Sequence, residues 1–435
     1  MEEQQSPGEE LASRGRRLVR IYAAMVVGVV VLELLATQHL VIAPHVSWHA
    51  FNLVTVPFMA FALIGSLLAY ALTRPRRVEW LVTVVVAACL CGLALLLHPE
   101  ATVEHRSALL GAIGSWLGLA GLAVLLTRFL RASGGARQVA MVTLLSAAAL
   151  PAFVTLTVGF LDLTVSLHPR VYDGYVYAAD ASFGIQPNVL VYRLFVAIPA
   201  VQTVSAVIYN VLPLAIFSFY ALEASSSRRP PVDTLVLFIA AGTGGFVLYH
   251  LFPVVGPALL FDAPKPPAWP SSEHVPLSSL FAGTAARNCM PSLHTTWALL
   301  MGWQARAYRP LVRGTALAFL LFTMLATLGF GYHYLCDLVA AVPFSLTVWA
   351  GCATTVPLWT GSAPSPRLRA ISIGALLTGL WFVGVRFGLP LWRLSPVVPW
   401  TLGAVVVVTS LALWTRVNPV GSSGAKSVGG ASPSS

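Results

Sequence analysis

Long runs of Leu, Val, Ala and Ile recur along the chain, separated by short stretches rich in Arg, Gly and Pro. Many approach the roughly 20 residues that a helix needs to cross a hydrocarbon core. They predict spans at about 18–37, 52–73, 80–97, 107–127, 139–161, 203–222, 234–254, 291–308, 314–332, 335–356, 370–387 and 397–415. The runs lack the inward and outward alternation of a transmembrane barrel. The predicted fold class is therefore all-α, a polytopic integral membrane protein of about twelve transmembrane helices. No small-residue cleavage site follows the first run, which is expected to be retained as a span.

Composition agrees: 57% of the 435 residues are hydrophobic and 10% charged, against about 25% charged in ordinary soluble domains. The formal charge of +10 could suggest nucleic acid, but its distribution argues otherwise. With the N-terminus inside, 19 of the 26 Lys and Arg residues fall on inner segments, as the positive-inside rule expects. No nucleic acid partner is predicted, and both termini are expected to be cytoplasmic. The same assignment puts all ten histidines, from His39 to His333, at the outer side, so the chemistry is expected to be extracytoplasmic. Sparse lysine and an Ala/Arg/Gly/Pro-rich composition suggest a bacterial plasma or inner membrane. The five cysteines show neither a disulfide framework nor ligand-like spacing.

Two outer segments, about 162–202 and 255–290, are longer than turns need to be, and long loops in compact proteins are commonly functional. The first contains "YDGYVYAADASFGIQPNVLVYRLF", whose mixed aromatic and acidic character predicts a helix lying at the membrane interface. The second runs into "RNCMPSLHTTW". Proline favours the first turn of a helix, so Pro291 is expected to open the eighth span and present free backbone N–H groups at the outer surface. Such a helix start attracts anions, phosphate above all. Ser292 adds a hydroxyl, and His294 a group that exchanges a proton near neutral pH.

Further on, "GFGYHYLCDLVAAV" sets His333 four residues before Asp337. On a helix the two would share a face, and the carboxylate could fix the imidazole tautomer and raise its basicity. One span down and one span up fit between His294 and His333, so both imidazoles return to the outer level. Two histidines, one carboxylate and a helix start suggest displacement at phosphorus, one histidine attacking while the other protonates the leaving oxygen. The developing charge needs cationic or N–H donors, and Arg287 and Lys265 are the candidates. The scheme calls for no metal and no cofactor.

"PSLH" followed by "HYLCD" resembles the PAP2 superfamily of lipid phosphatases, in particular its inositolphosphotransferase branch, related to fungal inositol phosphorylceramide synthase. "YHLFPVVGP", Tyr249 to Pro257, also resembles a Gly-Pro stretch of that branch. The resemblance covers roughly residues 160–355. It implies that His294 is the general acid, His333 the nucleophile and Asp337 its orienter, acting on a lipid phosphate or phospholipid. The Ser-Arg pair of the main phosphatase branch is replaced here by Ala326 and Thr327, and its Lys-x6-Arg-Pro motif is absent, as is usual in the inositolphosphotransferase branch.

The expected organisation is a cytoplasmic segment 1–17, a transmembrane region 18–161 without an assignable motif, a PAP2-like catalytic core 162–356, a transmembrane pair 357–416 and a disordered tail 417–435. The alternative is a multi-span transporter or lipid flippase without phosphoryl chemistry, although transporters tend to place polar groups near the midplane. Arg287 could instead anchor lipid headgroups, Lys265 could be a solvated loop charge, and His45 with His49 could bind metal. Cys289 and Cys336 could approach each other but read better as packing residues.

Overall fold

A computed structural model describes residues 7–37, 57–97, 102–226, 230–261, 266, 269–354, 356–360 and 362–417. Lys265, His45, His49 and the tail from Asn418 lie outside the described residues. The regular structure of the described residues is helical apart from two short antiparallel strand pairs. Its N-terminal part comprises α1 (Pro7–Thr37), α2 (Pro57–Leu72), α3 (Arg77–Leu97), α4 (Val103–Gly111), α5 (Ile113–Arg131) and α6 (Gly134–Leu167). Then come α7 (Asp173–Ala181), α8 (Pro187–Ala197), α9 (Pro199–Asn210), α10 (Leu212–Ser225), α11 (Thr234–Leu251) and α12 (Pro257–Leu260). The remainder is α13 (Leu293–Ala305), α14 (Pro310–Gly329), α15 (Leu335–Cys352), α16 (Pro366–Phe387), α17 (Leu389–Trp392) and α18 (Val397–Val417).

Among the described residues eight helices are long and apolar enough to cross a membrane: α3, α5, α6, α11, α14, α15, α16 and α18. Counting α8 with α9 as one broken span makes nine; α2 and α10 are apolar but shorter. Of the twelve expected runs, those falling on α1, α2, α9 with α10, and α13 are not among the eight. The segment expected at 203–222 is divided between α9 and α10 at Val211, and the one at 291–308 is helical only over Leu293–Ala305. Large apolar side chains remain exposed on the outward faces of the spanning helices, Leu81, Leu96, Leu311, Leu321, Leu380 and Val408 among them. Contiguous exposed apolar surface of this kind suits contact with hydrocarbon.

Among the described residues, neither of the two long segments at about 162–202 and 255–290 is a free loop. Helix α6 runs on to Leu167, and α7, α8 and the first turn of α9 occupy most of the rest of the first segment. Pro199 removes a helical N–H and restricts Ile198 before it, and α8 and α9 meet there at a 116° bend. The two segments pair through β1 (Arg170–Val171) and β2 (Ser279–Leu280), with Arg170 opposite Leu280 and Val171 opposite Ser279. The stretch expected to form an interfacial helix is two helices: α7 is buried over Asp173, Gly174, Val176, Tyr177, Ala178, Ala179 and Asp180, whereas in α8 only Pro187, Asn188 and Phe195 are buried. The Arg386 guanidinium of α16 sits 3.9 Å from the centroid of the Tyr175 ring on α7, a cation–π contact.

Candidate active site

Helix α15 starts at Leu335, with Tyr334 as its N-cap, so His333 precedes the helix. The pair meets through a cap and not through a shared helical face. Asp337, third residue of the helix, turns its carboxylate back to the open helix start, as side chains at this position do in capping boxes. Its Oδ2 accepts the Tyr334 N–H at 2.9 Å and lies 3.3 Å from His333 Nδ1. Asp337 Oδ1 is buried without a hydrogen-bond partner. His333 is placed from behind by the end of α14. The Tyr332 and His333 N–H groups both donate to the Thr327 carbonyl at 3.0 Å. Gly331 makes that reversal at φ +70, a conformation open to glycine because it has no Cβ. A Cβ there would also lie 2.7 Å from the Trp269 ring.

The other half is the start of α13. Ser292, not Pro291, is the transition residue, its hydroxyl accepting the Thr295 N–H at 3.3 Å. Proline therefore sits one residue outside the cap, and the Ser292 oxygen is engaged in holding the helix start. The Ser292 N–H donates to the Asp337 carbonyl at 3.2 Å, joining the two helix starts. His294, one residue into α13, is stacked on Tyr209 at 3.9 Å and 12° and touched edge-on by Phe58 at 5.4 Å. Its Nε2 has no hydrogen-bond partner.

His294 and His333 line one cavity of about 330 Å³, together with Asn288, Tyr209, Tyr249 and Tyr332. No Arg or Lys is among the described residues that line it. Arg287, close to His294 in sequence, is 1% exposed and turned into the loop. Its Nε donates to the His168 carbonyl, Nη1 to those of Gly283 and Ala285, and Nη2 to that of Phe281. Burial lowers its pKa, opposed by the charge of Asp173. These contacts make it a stitch between the two long segments.

Three polar residues that the sequence reading passed over hold the site together. Asp180 of α7 accepts the Leu335 and Cys336 N–H groups at 2.7 and 2.9 Å, capping α15 from another helix. Asp173 accepts from the Val255 and Gly256 N–H groups at 3.1 and 2.8 Å and from the Tyr334 hydroxyl at 3.1 Å. Asn188 Nδ2 donates to the Leu328 and His333 carbonyls, both at 2.9 Å. Burial pushes both aspartates up to about 7, the N–H donors offsetting only part of that shift. Two carboxylates seven residues apart on one short helix were the available sign, because that spacing sets them on one face.

Cys289 Sγ, a His333 ring nitrogen and an Asp337 carboxylate oxygen lie within 4.8 Å of one another, a donor set of the kind that can hold a metal ion. Both Cys289 and Cys336 are buried as free thiols. Cys289 donates to the Tyr332 carbonyl at 3.1 Å, and burial raises its pKa well above the ordinary thiol value.

Fold and site together define a multi-pass helical membrane protein with two histidines, one of them paired with an aspartate, on a single cavity. Residues 174–351 match the family model of the PAP2 superfamily. The matched stretch contains both histidines, Asp337 and Asp180, while Asp173 lies one residue before it. No curated protein and no solved structure matches the chain.

Proposed function

We propose that the protein is a lipid phosphatase or a lipid head-group phosphotransferase working at the extracytoplasmic face through a phosphohistidine on His333. One observation carries this reading: His333, oriented by Asp337, opens onto the same cavity as His294. With Nδ1–H given to the carboxylate, the imidazole lone pair lies on Nε2, the nitrogen that attacks phosphorus. The phosphorus–oxygen bond to the leaving group breaks as protonated His294 hands its proton to that oxygen. Neutral His294 then takes a proton from water or an alcohol, whose oxygen displaces His333 from phosphorus. Water makes the enzyme a phosphatase, and an alcohol makes it a transferase of the inositolphosphotransferase kind.

The phosphoryl oxygens are met by uncharged donors, Asn288 and the cavity tyrosines, in a site where burial strengthens each hydrogen bond. Ser292 and Arg287 contribute by holding the α13 start and its loop, and Lys265 remains the candidate cation. Twelve crossings with both termini on the Arg-rich side, in a bacterial plasma or inner membrane, complete the proposed topology. Release of inorganic phosphate from a panel of lipid phosphates by the detergent-purified protein tests the reading, beside His333→Ala. The native protein is expected to release phosphate and the variant is not. No release and no head-group transfer to added alcohols would sink the enzyme and favour the transporter or flippase.

A further inference from the structure

The cavity does not end at the histidines. Below them its wall is made by Phe58 of α2, by Leu150, Phe153, Val154, Thr157 and Leu161 of α6, and by side chains of α10 and α11. The α6 residues stand at i, i+3, i+4, i+7 and i+11, one face of the helix, and span about 16 Å of its length. That face bears no charge and a single hydroxyl. Both α2 and α6 lie outside residues 174–351, in the region for which the sequence suggested no role.

We propose that α2 and α6 form a tail-reading wall, which takes one apolar chain of the lipid whose phosphate reacts at His333. This deepens the function proposed above and rests on it for the identity of the head group. Three observations favour such an occupant. The cavity is continuous with both histidines, so a chain lying in it keeps its phosphate at the reacting end. At about 330 Å³ it is at the lower end of small-molecule sites, a size that suits one chain better than a two-chain lipid. The wall is also built to keep its shape. Phe246 of α11 stacks on Phe153 at 5.8 Å and on Phe160 at 5.6 Å. Gly242 leaves room for Phe153, whose ring would lie 2.3 Å from a Cβ at that position. Phe58 serves twice, as wall and as the edge contact to the His294 ring, so the tail site and the acid share a side chain. Such a wall discriminates lipids by tail, because each methylene that fits or fails to fit changes the rate.

The test uses octyl, dodecyl and hexadecyl monophosphate as single-chain probes, with phosphate release measured for the native protein, Val154→Trp and Phe153→Ala. The wall predicts that Val154→Trp lowers the hexadecyl-to-octyl ratio of kcat/KM by about tenfold or more, and that Phe153→Ala raises it. In parallel, hexadecyl monophosphate carrying a mid-chain diazirine is photolysed on the native protein, and the labelled peptides are mapped. Labelling is expected on the buried α6 residues Leu150 and Phe153, and to be competed away by unlabelled hexadecyl monophosphate. Unchanged ratios in both variants, or competed labelling that avoids α6, would overturn the tail-reading wall while leaving a phosphatase in place. Labelling of α6 without turnover of any probe or transfer to any alcohol would uphold the wall and defeat the phosphoryl chemistry.

Discussion

The two ends of the helix bundle differ in whether carboxylates and arginines pair with each other, although backbone contacts to charged groups occur at both, as where Asp233 caps Val236 and Arg367 donates to the Ala350 carbonyl. At the end away from the histidines, carboxylates meet arginines as well as backbone N–H groups. Glu79 of α3 takes a two-pronged contact from Arg128 of α5 at 2.8 Å for each prong, and Asp233 before α11 pairs with Arg14 of α1 at 3.1 Å. At the histidine end, Asp173, Asp180 and Asp337 accept from backbone N–H groups, and Arg287 donates to backbone carbonyls. A surface ion pair ties two helices together at a distance and tolerates small shifts. A carboxylate across two backbone N–H groups fixes the path of the chain between them. The histidine end thus spends its charges on geometry, which the proposed two-histidine chemistry requires, since catalytic groups must be held within a fraction of an ångström.

Substitutions can break this contrast. His333→Ala removes the proposed attacking nitrogen and is expected to cut phosphate release by about a thousandfold or more without loss of folding, read by stopped assays beside thermal unfolding. Asp337→Asn keeps the shape but loses the charge that orients the imidazole. A fall of about a hundred- to ten-thousandfold in kcat is expected, with KM little changed. Asp180→Ala strands the Leu335 and Cys336 N–H groups at the start of α15 and should cost about 1–3 kcal/mol of stability, with activity falling alongside. Arg128→Ala at the opposite end should cost about 1 kcal/mol or less, because the pair is partly exposed, and should leave phosphate release unchanged. Equal losses of activity from Asp180→Ala and Arg128→Ala would dissolve the distinction between the two ends.

The same contrast has a pH signature. Asp173 and Asp180 are pushed up to about 7 in the folded protein, from an ordinary value of 3.8. Between these values the folded chain binds more protons than the unfolded one, so stability falls as pH rises through that window and levels off above it. The unfolding temperature in detergent should be lower at pH 8 than at pH 6, and Asp180→Asn should flatten that slope. A slope unchanged by the substitution would place the titration elsewhere.

Much of the site was legible in the order of residues, because the histidines and Asp337 sit in short segments whose neighbours decide their place. The pairing of His333 with Asp337 followed from a four-residue spacing, although a cap, and not a helical face, brings them together. What escaped reading depends on contacts distant in sequence. Arg287 is close to His294 along the chain, but the fold turns its guanidinium toward the carbonyls of His168 and Phe281. Asp180 reaches a helix that begins 155 positions later, and its aromatic neighbours made α7 look interfacial. The α6 stripe resembled any buried helix face, and only the placement of α11 and α13 opposite it leaves a cavity between them.

The most direct measurement is to trap the covalent intermediate. The protein would be mixed with a radiolabelled lipid phosphate that it turns over, quenched in base to preserve phosphohistidine, and digested for peptide mapping. The account predicts label on His333, absent from His333→Ala and lost on a chase with water or an alcohol acceptor. Steady turnover with no label on His333, or label on His294 instead, would contradict it.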